Sequence, residues 1–119
     1  MADASASEPT IFQKILDGEI PADVVLETDD CLAFRDVNPQ APTHVLVIPK
    51  RPVRNLSDAT DGDAELLGKC LRVCDAVAKQ EGCGEAYRVI ANTGAGAGQS
   101  VFHLHFHVLG GRDLTWPPG

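Results

Sequence analysis

Three histidines alternate along His103-Leu104-His105-Phe106-His107, within the stretch GQSVFHLHFHVLGG that runs from Gly98 to Gly111. With Phe102, Leu104, Phe106 and Val108 between them, the period is two. This predicts a strand over Val101–Leu109 with one apolar face and one face carrying three imidazoles. The fourth histidine of the chain, His44, opens another apolar run, His44-Val45-Leu46-Val47-Ile48, bounded by Pro42 and Pro49. A single histidine on an apolar face is ordinarily a core side chain with one hydrogen-bond partner. Three in a row each need partners of their own and each titrate near neutrality, so the row points to chemistry.

Two kinds of chemistry suit such a row. Zinc takes nitrogens at about 2.0 Å in a tetrahedron, whereas alternate residues on a regular strand stand about 6.6 Å apart. Two alternating histidines can meet that demand and three consecutive ones hardly can. No Asp or Glu near the row in sequence offers the outer partner that metal-bound histidine usually has, so no metal and no cofactor are expected. Phosphoryl or nucleotidyl transfer fits better. A neutral imidazole nitrogen is a nucleophile for phosphorus, and its neighbours can stabilise non-bridging oxygens and protonate a leaving group.

The charge distribution agrees. The net charge is -7, which argues against a DNA or RNA binder with a broad basic surface. Yet residues 37–57 carry Lys50, Arg51 and Arg54 without an acid, and residues 86–112 carry Arg88 and Arg112 without one. Both histidine-bearing segments are therefore free of carboxylates, as a site for an anionic group requires. Asn92–Ser100 (NTGAGAGQS) is glycine-rich, but it is no dinucleotide fingerprint. Gln99 stands where a third glycine is needed, and a strand follows instead of a helix. It reads as a long turn whose backbone N–H groups can approach a phosphate.

The elements that position these residues follow from local pattern. Thr10 before Ile11, Phe12, Ile15 and Leu16, with Gly18 after, predicts a short helix. Val24–Glu27 and Cys31–Phe34 flank a turn and read as a hairpin, and Asp36–Pro42 is turn chemistry. His44–Ile48 is nearly all apolar and so a central strand, after which Pro49–Leu56 crosses the surface. Asp61–Gln80 is the one long helical pattern, with Leu66, Leu67, Cys70, Leu71, Cys74, Val77 and Ala78 at three and four spacing. Tyr87–Ala91 is a fourth strand. The expected fold is α+β, a five-stranded mainly antiparallel sheet with one long and one short helix, spanning residues 10–119 after a disordered tail at 1–9. Cys31, Cys70, Cys74 and Cys83 form no Cys-x-x-Cys pair and read as small core residues of a reducing compartment. No stretch reads as a signal peptide or membrane span, which places the chain in the cytoplasm, with the nucleus also open.

The histidine row followed by apolar residues resembles the histidine triad signature. Gly98-Gln99-Ser100-Val101 before it, Leu109-Gly110-Gly111-Arg112 after it, Pro39-Gln40-Ala41-Pro42-Thr43-His44 and the terminal Trp116-Pro117-Pro118-Gly119 are similar to the nucleotide-binding branch of that family. The resemblance implies a homodimer with joined sheets. It implies hydrolysis of the P–N bond of purine nucleoside phosphoramidates to a nucleoside monophosphate such as AMP and an amine. By that analogy His105 is the nucleophile, His107 binds phosphate oxygens, His103 holds the geometry and His44 relays a proton. Asn92, Gln99 and Ser100, at the end of the loop that includes Gly98, contact the phosphate or leaving group. Asp36 binds the ribose, Ile11, Phe12, Phe34 and Val37 form the base pocket, and Trp116 reaches toward a partner's site. The competing reading is a nucleotide-binding regulatory or scaffold protein whose hydrolysis is residual.

Overall fold

The computed structural model describes residues 9–119, so the expected tail at 1–9 lies, apart from Pro9, outside the described residues. The elements in order are helix α1 (Ile11–Leu16), strands β1 (Val24–Glu27), β2 (Cys31–Arg35) and β3 (Thr43–Pro49), helix α2 (Ala64–Gln80), β4 (Tyr87–Ile90) and β5 (Phe106–Gly110). All five strands form one antiparallel sheet in the order β1-β2-β3-β5-β4. The α+β expectation holds.

Thr10 starts α1 by accepting a hydrogen bond from the Gln13 N–H at 3.1 Å, satisfying a donor that the helix leaves open. Thr28 closes the β1–β2 hairpin, its hydroxyl accepting from the Cys31 N–H at 3.0 Å. The strand β3 is buried along its whole length and lies in the middle of the sheet, as its apolar run predicts.

Alternation along β3 divides the core in two. Val45 and Val47 join Cys31, Ala33, Phe106 and Val108 on the face covered by α2, which contributes Cys70, Val73, Cys74, Val77 and Ala78. Leu46 and Ile48 join Leu32, Phe34 and Phe12 on the face covered by α1. Directly opposed antiparallel residues share a face. The pairings Leu46 with His107 and His44 with Leu109 therefore place His44 and His107 on the α1 face.

Three expectations are corrected. The long helical pattern begins with a single 3₁₀ turn at Asp61–Asp63, and α2 proper starts at Ala64. Leu71, expected in the core, is half exposed, and Val73 is buried instead. The fifth strand covers Phe106–Gly110 and not Val101–Leu109, so of the three histidines only His107 lies on a strand. The reason is Pro49. Continuing the β3–β5 register beyond Val47 and Phe106 would set Pro49 against Leu104, and proline has no N–H for the ladder. The Leu104 N–H donates instead to the Val53 carbonyl, at 2.6 Å. Val53 is itself buried, so the Pro49–Leu56 crossing also plugs the core.

Phe106 is the large side chain where this departure from the ladder begins, and it is 4 % exposed. Truncation to alanine leaves a cavity that the sheet and α2 cannot both close. Phe106→Ala is expected to lower unfolding stability by about 3–5 kcal/mol, measured by urea denaturation. A loss under about 1 kcal/mol would show that the segment is not packed as described.

Candidate active site

The segment released from the ladder brings the histidines together. His103 is buried, its Nε2 at 2.8 Å from the Pro49 carbonyl. His105 is buried too, its Nδ1 at 2.8 Å from the carbonyl of His103. A carbonyl only accepts, so the proton of neutral His105 sits on Nδ1 and that of His103 on Nε2. The consequence for His105 is a bare lone pair on Nε2. The Phe12 ring stands edge-on to His105 with centroids 5.0 Å apart and to Phe34 at 5.4 Å, so α1 packs directly against the histidine.

His107 follows two residues further, on β5, its ring 5.0 Å from that of His105. Its Nδ1 is 2.9 Å from Nε2 of His44, and Nδ1 of His44 accepts the backbone N–H of Gln40 at 3.0 Å. Asp36 completes the cluster, Oδ2 lying 3.4 Å from His44 Nε2. The sequence reading expected no carboxylate near the row. Asp36 lies one residue outside the acid-free segment, and the turn that follows it folds back so that the Asp36 N–H donates to the His44 carbonyl at 3.0 Å. Asp36, His44 and His107 each offer a donor atom within 4.8 Å of the others, the group of that kind found among the described residues.

A cleft of about 660 Å³ opens between α1, β2 and the histidines. Of the predicted pocket residues, Ile11, Phe12, Phe34 and Val37 form its apolar wall, and Asp36, Ser100, His105 and His107 supply its polar groups. His44 and His103 do not line it, and they reach it through their contacts with His107 and His105. Other predicted residues lie elsewhere. Gln99 is buried with its amide fully engaged: Oε1 accepts from Asn55 and from the Gly94 N–H, and Nε2 donates to the carbonyls of Arg54 and Val101. It shapes the loop from within. Gly98 closes the loop's 3₁₀ turn at φ +96°, where a side chain would be strained, close to Asn92. Trp116 is 82 % exposed on the tail, which Arg88 holds by donating to the Thr115 carbonyl. Sequence reasoning missed Gln40, Pro49 and Asn55, all of which act through backbone groups or at long range.

Comparison with known proteins follows this geometry. The family model described as HIT domain matches residues 17–114. The chain belongs to the histidine triad family. An uncharacterized HIT-like protein of Synechococcus elongatus is 60 % identical over 95 % of this chain and 99 % of its own. A 14 kDa zinc-binding protein of Zea mays is 53 % identical over 93 % and 88 %. Among solved structures, a HIT family hydrolase of Legionella pneumophila superposes with a TM-score of 0.89 at 51 % identity, covering 92 % of this chain and 98 % of that one. A histidine triad nucleotide-binding protein of Candida albicans does so at 0.77 and 34 %, covering 91 % and 82 %.

Burial lowers the pKa of all four family histidines, because desolvation disfavours the imidazolium. His107 is pushed down to about 4, with His105 and His44 adding to the burial and Asp36 opposing it. The four imidazoles are therefore neutral near pH 7. Unfolded histidines take up protons near pH 6.5 and the folded ones only below that, so between about pH 6.5 and pH 4 the unfolded chain binds more protons. Stability must fall as the pH drops through that window. We expect the Tm to decline from pH 7 to pH 4 less steeply in His107→Gln than in the unaltered chain, by differential scanning fluorimetry. Parallel slopes would contradict the neutral state of His107.

Proposed function

We propose that this histidine triad protein hydrolyses the P–N bond of purine nucleoside phosphoramidates through a nucleotidyl-His105 intermediate. The observation that carries the reading is the bare Nε2 of His105, oriented by the His103 carbonyl, at a cleft with an apolar wall and a carboxylate. The names of the hydrolase and nucleotide-binding relatives point the same way.

In this reading the base lies against Ile11, Phe12, Phe34 and Val37, and Asp36 takes the ribose hydroxyls. His105 Nε2 forms a bond to phosphorus as the bond from phosphorus to the amine breaks, and the departing nitrogen takes a proton. Water then attacks the same phosphorus and loses a proton, the P–N bond to His105 breaks, and the nucleoside monophosphate leaves. His107 binds phosphate oxygens, His44 relays the proton, and His103 holds His105 by its carbonyl. Ser100 and Asn92 contact the phosphate or leaving group, and Gln99 acts through the shape of the loop. The joining of two sheets in a homodimer belongs to the same proposal. It is supported by β4, an edge strand with Val89 exposed, and in that dimer Trp116 reaches toward the partner's cleft. The cytoplasm is the expected place of action.

The test is a steady-state assay with adenosine 5′-tryptamine phosphoramidate in the presence of a chelator. Turnover by the unaltered chain should survive the chelator, and His105→Ala should reduce kcat on the order of 10⁴-fold or more. His107→Ala should cost roughly 10²–10⁴-fold, the range of a lost acid–base group. Bound AMP without turnover would favour the scaffold reading.

A further inference from the structure

The His44–His107 pair has a direction, and a backbone group outside the triad sets it. A neutral imidazole carries one N–H and one lone pair. The Gln40 N–H can only donate, and it faces Nδ1 of His44 at 3.0 Å, so that nitrogen holds the lone pair. The proton of His44 is then on Nε2, which is 2.9 Å from Nδ1 of His107. His107 must accept there, and its own proton is left on Nε2, the nitrogen turned away from His44. The two histidines bordering the cleft thus differ in kind. His105 presents a lone pair, and His107 presents a donor.

Reversing the pair would place an N–H of His44 against the N–H of Gln40. The turn that carries Gln40 is held against that change from several sides. Asp36 Oδ1 accepts the Asn38 N–H at 2.8 Å, and the Gln40 side-chain amide donates to the Asn38 carbonyl at 3.0 Å. Arg112 Nε donates to the Gln40 carbonyl at 3.1 Å, tying the turn to the end of the strand that carries His107.

The same logic bears on metal binding. Asp36, His44 and His107 are close enough to share a divalent ion, but a histidine ligand must aim a bare nitrogen at the metal. The His44 nitrogen aimed at the cluster is the protonated one. Metal-bound histidine usually gives its other N–H to an acceptor, whereas the group behind His44 is a donor. The donor set does not fit zinc.

We propose that the Gln40 backbone N–H is the positioning group of this site: it locks the hydrogen-bond polarity of the His44–His107 pair, making the cluster with Asp36 a proton site that refuses a divalent metal. The use of that polarity toward a phosphate rests on the phosphoramidate reading; the tautomers and the metal refusal do not.

The test uses the full chain with ¹⁵N-labelled histidine and long-range ¹H–¹⁵N correlation spectra at neutral pH. His44 and His107 should both carry their proton on Nε2, and one equivalent of zinc chloride should leave their signals in place. Gln40→Ala, which keeps the N–H, should preserve the pattern. Gln40→Pro, which deletes it, should populate the second His44 tautomer, let zinc shift both histidines, and lower kcat by about 10–100-fold with a smaller change in KM. An Nδ1 proton on His44, or a zinc-induced shift of both rings in the unaltered chain, would overturn the proposal even if Gln40→Pro fails to fold. A folded Gln40→Pro with unchanged tautomers would overturn the role of Gln40. Expected tautomers in a chain that does not turn over phosphoramidates would instead refute the function and leave this inference standing.

Discussion

The site depends on the point where β3 and β5 stop pairing. Up to Val47 and Phe106 the two central strands run in ordinary antiparallel register, and at Pro49 the ladder has no donor to continue with. The Pro49 carbonyl takes His103 Nε2, and Val53 takes the Leu104 N–H. The Pro49 carbonyl and the Leu104 N–H thereby find partners outside the ladder. A ladder continued through residue 103 would have held the imidazoles in a regular row along one face. Ending it lets His103 turn inward and present its own carbonyl to His105.

This arrangement converts backbone carbonyls into control over imidazole chemistry. His103 and His105 each face an acceptor and His44 faces a donor, so the three rings are held in tautomers that their surroundings dictate. Burial keeps them uncharged near pH 7, which leaves the Nε2 lone pair of His105 bare without first removing a proton. Asp36 favours protonation of His107 against that burial, and in the proposed reaction a phosphate anion acts in the same direction.

The two faces of the sheet divide the work. Helix α2 and the α2 face form a closed apolar core whose three buried cysteines pack as small residues, Cys31 and Cys70 with their sulfurs 3.6 Å apart. The α1 face is only partly covered, because α1 is a helix of six residues. Phe12 fills the gap over the histidines, and the remainder is the cleft. One short helix is both lid of a minor core and wall of the pocket.

Much of this was legible in the chain itself. Strict alternation marked the histidines, the apolar run 44–48 marked the central strand, and the spacing over 61–80 marked α2, since local patterns of burial repeat with the period of the element that buries them. The apolar wall and Asp36 followed from resemblance, and these residues line one cleft. What sequence could not supply was the early end of β5, the Asp36–His44 approach and the hydrogen bond from the Gln40 N–H to His44. The first was set by a proline on another strand, 55 residues before Leu104 in the chain. The others depend on a turn folding back so that a backbone N–H meets a ring nitrogen. Residue type determines which groups can donate or accept, and it did so here. Which donor faces which acceptor is decided only when distant segments are packed, because hydrogen-bond direction is a property of pairs.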